Sequence, residues 1–424
     1  MDNKQSNILQ GYKDSSLGLI PKDWKVKKLG ELGSFLKGKG VPKDKITTSG
    51  YKCLTYGDIY TKYDIVLKNI RSFIDEETAI ISEELRTGDI LFAGSGETLE
   101  DIGKTVVYLE SEKAYAGGDI IILRQNEVNS LFLSYLLNSA KSNAQKYQIG
   151  QGHSVVHIYS SQLANLLISI PSIPEQQEIA DILSAWDRSI DIQTQLIASL
   201  QIRKRAMMQQ LLTGKRRLKG FNEEWKVVAL GDIGVISSAG VDKKTIEGEI
   251  PVRLVNFLDV YRRDYIYSNE LNHWVTASKA KIEKCSVQKG DIFFTPSSEV
   301  ADDIALSAVA MEDIPDAVYS YHIVRLRLVD NWDLKYRAYA FKTDDFYKQA
   351  ETLCDGSGQR YVISQAKFRK MTVKVPPIQE QSAIAEILSS ADKEIDLANY
   401  KLTMMKEQKK GLMQQLLTGK KRVI

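Results

Sequence analysis

Two glycine-lysine stretches bring this sequence nearest to phosphate chemistry. Gly33, Gly38 and Lys39 have the spacing of a nucleotide-binding P-loop, but Gly40 stands where a Ser or Thr must hold magnesium. Gly103-Lys104-Thr105 supplies that end, but Thr98 occupies the position of the first glycine. Gly94-Ser95-Gly96 starts like a dinucleotide fingerprint, then places Leu99 at its third glycine, so it reads as a loop after a strand. His153 and His157 have the i, i+4 spacing of zinc ligands, yet Ser154 replaces the following glutamate, and Gly150 and Gly152 favour a loop. Neither Asn-Pro-Pro-Tyr nor Asp-Pro-Pro-Tyr occurs, so the amino-methyltransferase signature is absent. Cys53, Cys285 and Cys354 are far apart, without a Cys-x-x-Cys, which suggests neither a disulfide framework nor a zinc site. No catalytic residue and no metal ligand is expected.

What remains is the polar chemistry of binding loops. In the first half the candidates are Lys37 and Lys39, then Ser95, Glu97 and Thr98, then Gln151, His153 and Ser154. In the second they are Arg262 and Arg263, then Ser297, Ser298 and Glu299, then Gln359, Arg360 and Tyr361. Arginine can bridge guanine O6 and N7, glutamine can pair with adenine, a carboxylate can accept from a cytosine amino group, and lysine serves phosphates. For each residue, a solvated loop side chain is the plain alternative. Glu97 and Asp101 correspond to Glu299 and Asp303 at one displacement (299 − 97 = 303 − 101 = 202).

That correspondence belongs to a duplication, which supplies the elements that position the loops. Ile173 to Arg217 matches Ile378 to Arg422 without a gap, at a displacement of 205 (378 − 173). Ile179, Leu183, Trp186, Ile190, Ile197, Leu200, Met207 and Leu211 fall at heptad spacing, as do Ile384, Leu388, Ala391, Ile395, Leu402, Met405, Leu412 and Leu416. Lys204 and Lys409 interrupt the two stripes at the matching point. Pro171 and Pro174 precede the first helix and Pro376 and Pro377 the second, while Gly214 and Gly419 suit the position just past each end. Each helix is thus predicted at about 38 residues, or roughly 57 Å. Ser172 and Glu175 could form a capping box, which Pro377 forbids in the second copy.

The globular parts repeat too. Trp24-Lys25-Val26 returns as Trp225-Lys226-Val227, and Gly88-Asp89-Ile90 as Gly290-Asp291-Ile292. Asp119–Arg124 and His322–Arg327 read as strands, and Phe132–Leu137 and Tyr336–Phe341 as helices; residues 1–20 read as a loosely held arm. The fold class is α/β, as mixed α+β globules. The predicted division is globule one at 1–171, first long helix at 172–214, globule two at 215–376, and second long helix with a basic end at 377–424. Trp225 follows Gly214 so closely that the chain has no room for a long return. The second globule is therefore expected at the far end of the first helix. An intramolecular antiparallel coiled coil then gives a pseudo-two-fold dumbbell.

At 424 residues, 43% apolar and 26% charged, the chain has ample core. Its net charge of +3 is too small to prove a nucleic-acid partner. Unpaired cysteines and no secretory signal lead to an expected cytoplasmic location, and no apolar run is long enough for a membrane span. Two readers on a rigid spacer suit duplex DNA, whose turn is roughly 34 Å.

Pro171, Glu175 and Gln176, echoed by Pro376, Glu380 and Gln381, together with Ile-Ala-Asp-Ile-Leu at 179–183, Ile-Ala-Glu-Ile-Leu at 384–388 and Gln-Gln-Leu-Leu-Thr-Gly at 209–214 and 414–419, resemble a known family. It is the specificity (S) subunit of Type I restriction–modification systems, and the resemblance runs through nearly the whole chain. It implies that each globule is a target recognition domain reading half of an asymmetric bipartite sequence in double-stranded DNA. The helices would set the spacing and dock two modification (methyltransferase) subunits, and restriction and motor subunits would join for cleavage. Docking is expected at the matched helix ends: Glu175, Gln176, Gln209 and Gln210, and Glu380, Gln381, Gln414 and Gln415. No cofactor is expected in this chain; S-adenosylmethionine, for adenine-N6 methylation, with ATP and magnesium would reside in the partners. The alternatives are a complete enzyme with an unrecognised active site, or a scaffold without a DNA role.

Overall fold

The computed structural model describes residues 11–98, 101–150, 156–357 and 360–423. The chain divides into two compact units, one of residues 1–193 with 401–424, the other of residues 194–400. Each unit takes a segment of both long helices.

In unit 1 a five-stranded sheet runs in the order Gly33–Lys37, Ile120–Gln125, Ile90–Ala93, Thr105–Tyr108, Val66–Leu67. The central Ile90–Ala93 strand is wholly buried because both faces are covered. Alternation sends Ile90 and Phe92 to one core, with Phe132, Ile179, Leu183 and Leu416, and Leu91 and Ala93 to another, with Leu54, Ile59 and Tyr108. A four-stranded sheet (Ser72–Ile74, Tyr51–Leu54, Ala114–Ala116, Glu83–Glu84) and the pair Lys25–Lys28 with Leu167–Ile170 complete the globule. Unit 2 repeats this topology: Gly234–Ser237, Val324–Leu328, Ile292–Phe294, Ser307–Ala310, Tyr265–Ile266 in one sheet, and Lys226–Ala229 paired with Thr372–Val375.

The repeated Gly-Asp-Ile phrase has a structural cause. Gly88 and Gly290 take positive φ, 93° and 85°, as the turn requires. The next residue, Asp89 or Asp291, is buried and accepts a two-pronged bond from an arginine on the neighbouring strand. Arg124 Nε and Nη2 reach Asp89 at 2.9 and 2.8 Å, and Arg327 Nε and Nη2 reach Asp291 at 2.7 Å each.

The first long helix is Ile173–Leu211 and the second Ile378–Leu416. Within each unit their segments pack antiparallel: Ile179 and Leu183 share a core with Leu416 and Leu417, and Ile384 and Leu388 with Leu211 and Leu212. Gly214 and Gly419, at φ 71° and 70°, end the helices as predicted.

Three expectations are corrected. The capping box at Ser172 does not form, because the Glu175 carboxylate accepts from Trp24 Nε1 at 3.1 Å and from Arg422 Nη2 at 2.8 Å. Tyr336–Phe341 yields only a single 3-10 turn at Tyr336–Ala338, with Tyr336, Tyr339 and Phe341 all buried in one core. A regular helix follows at Asp344–Leu353, capped by Thr343. The described part of the N-terminal arm is held: Tyr12–Lys13 pairs with Ile20–Pro21, and the Tyr12 hydroxyl donates to the Gly419 carbonyl at 2.8 Å.

Candidate nucleic-acid interface

Short strands hold one of the segments singled out for binding in unit 1 and pair two of them in unit 2. In unit 1 Ser95–Gly96 pairs with Val156–His157, setting Ser95 opposite His157. The buried Ser95 hydroxyl is bonded to His157 Nδ1 at 2.9 Å, so this serine is spent on holding the pair together. Glu97 and Thr98 continue outward and are exposed; Thr98 N and Oγ1 both donate to Asp101, closing a local turn. Gln151, His153 and Ser154 lie outside the described residues. Beside this loop stand Tyr56 and Tyr60 of the Tyr56–Lys62 helix, with ring centroids 6.3 Å apart. Burial pushes the Tyr60 phenol up, as do the nearby Tyr56, Glu97 and Asp101.

Unit 2 builds the equivalent place from other residues. Ser297–Ser298 pairs with Arg360–Val362, which pairs in turn with Asp355–Ser357. Glu299 and Arg360 are exposed; Tyr361 is half-buried against the core; Gln359 lies outside the described residues. Phe257 and Tyr261 stack at 5.6 Å, and the Tyr261 hydroxyl donates to Asp303 at 2.6 Å. Tyr56 and Tyr60 correspond to Phe257 and Tyr261 at a displacement of 201 (261 − 60), a matched aromatic pair whose signal in the sequence is that repeat. Arg262 is exposed, whereas Arg263 is turned to Asp259 and Glu270 at 3.7 and 3.4 Å. Burial lowers the pKa of His322, helped by Lys243 and Arg360, which marks a local concentration of positive charge.

Lys37 and Lys39 are exposed beside the turn at 116–118, where Lys39 N donates to the Ala116 carbonyl at 3.1 Å; Lys39 Nζ is 3.7 Å from Glu83. The arrangement offers cations, acceptors and half-exposed rings on paired loops, the set needed to touch phosphates and base edges. Among the described residues no cluster of His, Cys, Asp and Glu could hold a metal ion, and no helix is long and apolar enough to cross a membrane.

The residues expected to dock partners at the helix starts have bonds of their own. Glu175, Gln176, Glu380 and Gln381 are buried and bound within the chain. Glu380 accepts from Arg217 Nη2 at 2.7 Å and Trp225 Nε1 at 2.8 Å, repeating the Trp24–Glu175–Arg422 cluster. Gln176 accepts from Asn129 N at 2.8 Å and donates to the Pro171 carbonyl; Gln381 accepts from Asp333 N at 3.0 Å and donates to the Pro376 carbonyl. These residues fasten each globule to its helix start. Gln210, Gln414 and Gln415 are exposed, and Gln209 is half-buried, accepting from Asp344 N at 3.2 Å.

A family model described as Type I restriction modification DNA specificity domain matches residues 21–201 and 222–405. A Methanocaldococcus jannaschii chain assigned as the MjaX type I restriction enzyme specificity subunit is 27% identical over 98% of this chain and 97% of its own length. The MjaVIII specificity subunit of the same organism is 26% identical over 50% of this chain and 51% of its own. Among solved structures, a chain from work on complex assembly and conformational transition of the type I R-M system superposes with a TM-score of 0.63 at 15% identity, covering 94% of this chain and 99% of that one. The S subunit of the M. genitalium Type-I system gives 0.53 at 17% identity, covering 93% and 96%. Those two likenesses concern the fold, two tandem domains with two long helices, while the family match extends through both halves; the chain belongs to the Type I restriction modification DNA specificity family.

Proposed function

We propose that each globule reads one half of a split duplex DNA target and that the two long helices set the distance between the halves. The observation that carries this reading is the repeated placement of unlike loops on like scaffolds. Glu97 and Thr98 beside Val156–His157 in unit 1 answer to Glu299 beside Arg360–Val362 in unit 2. One topology with two sets of side chains is what an asymmetric bipartite target asks for. Exposed Lys37, Lys39, Arg262 and Arg360 would serve phosphates or guanines, and the tyrosines and carboxylates would meet base edges.

The chain itself performs no catalysis in this reading. Two modification subunits would bring S-adenosylmethionine for adenine-N6 methylation, and restriction and motor subunits would bring ATP and magnesium. Docking shifts from the buried Glu-Gln pairs to exposed helix positions. In unit 2 Leu196, Ile202, Leu397 and Tyr400 stand 46%, 71%, 68% and 64% exposed on the two helices, an unusual outlay of apolar surface for a soluble helix pair. Gln210, Gln414 and Gln415 flank the helix ends.

The test is a genome-wide map of N6-methyladenine in cells with and without this gene. A split motif that vanishes on deletion is the expected result; unchanged methylation overturns the reading. Methyl transfer by the purified chain alone would instead favour a complete enzyme.

A further inference from the structure

The matched lysines that interrupt the helical stripes sit in two equivalent clusters, each built around a buried tyrosine. In unit 1 Lys409, on the second long helix and 8% exposed, is paired with Asp187 of the first long helix and lies 3.6 Å from Asp64 of the globule. The globule's Tyr135 donates to the same Asp187 at 2.5 Å, and its ring lies 5.6 Å from the Lys409 ammonium. In unit 2 the roles exchange helices. Lys204 of the first is paired with Asp392 of the second and lies 3.9 Å from Asp264, while Tyr339 donates to Asp392 at 2.6 Å. The four positions match at displacements of 205, 205, 204 and 200 (409 − 204, 392 − 187, 339 − 135, 264 − 64). The outer carboxylates have a second cation each: Lys104 Nζ reaches Asp64 at 3.0 Å, and Lys342 is paired with Asp264.

A charge inside a helical seam is a poor way to gain stability, since apolar packing of the same volume does as well or better. Its best-attested use is to fix register and orientation, because a wrong alignment strands the charge. Each cluster here ties three bodies at one point: first helix, second helix and globule. We propose that the Lys409–Asp187–Asp64–Tyr135 and Lys204–Asp392–Asp264–Tyr339 clusters are positioning devices that set the angle of each recognition globule on its helices. Through that angle they set the base-pair spacing at which the two halves are read together. The spacing clause rests on the half-site reading above; the angular clause does not.

Two measurements separate the clauses. Spin labels at the exposed Ile80 (Ile80→Cys) on the globule and Ile192 (Ile192→Cys) on the first helix, with Cys354→Ser in the full chain, report their distance distribution. Lys409→Met, which keeps length and removes charge, is expected roughly to double its width, and Lys409→Arg to retain the native width. Asp64→Asn, which weakens the globule's link to Lys409 and leaves Tyr135 on Asp187, should widen it too. A native width in Lys409→Met overturns the proposal, whatever the DNA result. In the complex with its modification subunits, Lys409→Met should keep both half-site sequences while methylating targets whose gap is one base pair longer or shorter. Widened distances with an unchanged gap overturn the spacing clause. Absence of any split motif for the unaltered chain overturns the half-site reading and leaves the angular clause standing.

Discussion

Lys146 has no exposed surface, and its ammonium donates to the Gly103 carbonyl at 2.6 Å. Burial, with Lys104 nearby, lowers its pKa to about 7. The folded value lies below the unfolded one, so the fold prefers the neutral amine. Stability from this site is fully present only above the unfolded value of about 10.5, and is lost as pH falls through about 7. Lys146→Met should flatten that dependence and raise the unfolding free energy at pH 7 by on the order of 1 kcal/mol, because Thr105 Oγ1 still donates to the Gly103 carbonyl. Urea titrations at pH 7 and pH 9 check it; an unchanged pH slope sinks it. The Trp–Glu–Arg clusters give a second prediction. Glu175→Ala and Glu380→Ala should each cost about 3 kcal/mol, at the low end for a broken buried pair because Arg422 and Arg217 are partly exposed and rehydrate. Equal losses by denaturant titration would show that the Ser172/Pro377 difference is immaterial; a much smaller loss at one end would contradict the duplicated cluster.

The long helices were the part of the fold that sequence exposes best. Heptad spacing, prolines before and glycines after are local signals, and local signals survive without a structure. Partner choice did not read as well. Glu175 and Gln176 draw the eye as a docking pair because they repeat at the matched helix starts, yet Glu175 pairs with Trp24 and Arg422, 151 and 247 positions away. The clue was there in the matched displacements of Trp, Glu and Arg, and it points to a shared contact rather than a shared ligand. The same holds for Ser95, spent on His157, and Arg263, spent on Asp259 and Glu270: a residue type names a chemistry, and only long-range pairing says whether it is free to perform it. At this scale the ruler idea becomes quantitative. Seven residues inserted between Gln193 and Thr194, matched by seven between Tyr400 and Lys401, keep the apolar face and add roughly 10 Å, about three base pairs. The methylated motif should lengthen its gap by that amount with both halves unchanged; an unaltered gap removes the ruler.

At the scale of the whole molecule, the internal repeat makes modularity testable, and the structure says where to cut. Exchange at residue 171 would sever Trp24 from Glu175 and Asp23 from Arg422. A graft that keeps residues 11–32 and everything from Leu166 onward leaves that frame intact, and also keeps Tyr12 on the Gly419 carbonyl. It removes Asp64 and Tyr135, so the donor must carry an acid and a tyrosine at those positions for Lys409 and Asp187 to meet. With such a donor in place of 33–165, the first half of the methylated motif should switch to the donor's, while the second half and the gap stay as they were. A graft lacking the two residues should still switch the half-site but spread the gap. If both halves change in either graft, one globule does not read one half, and the assignment of the two units falls.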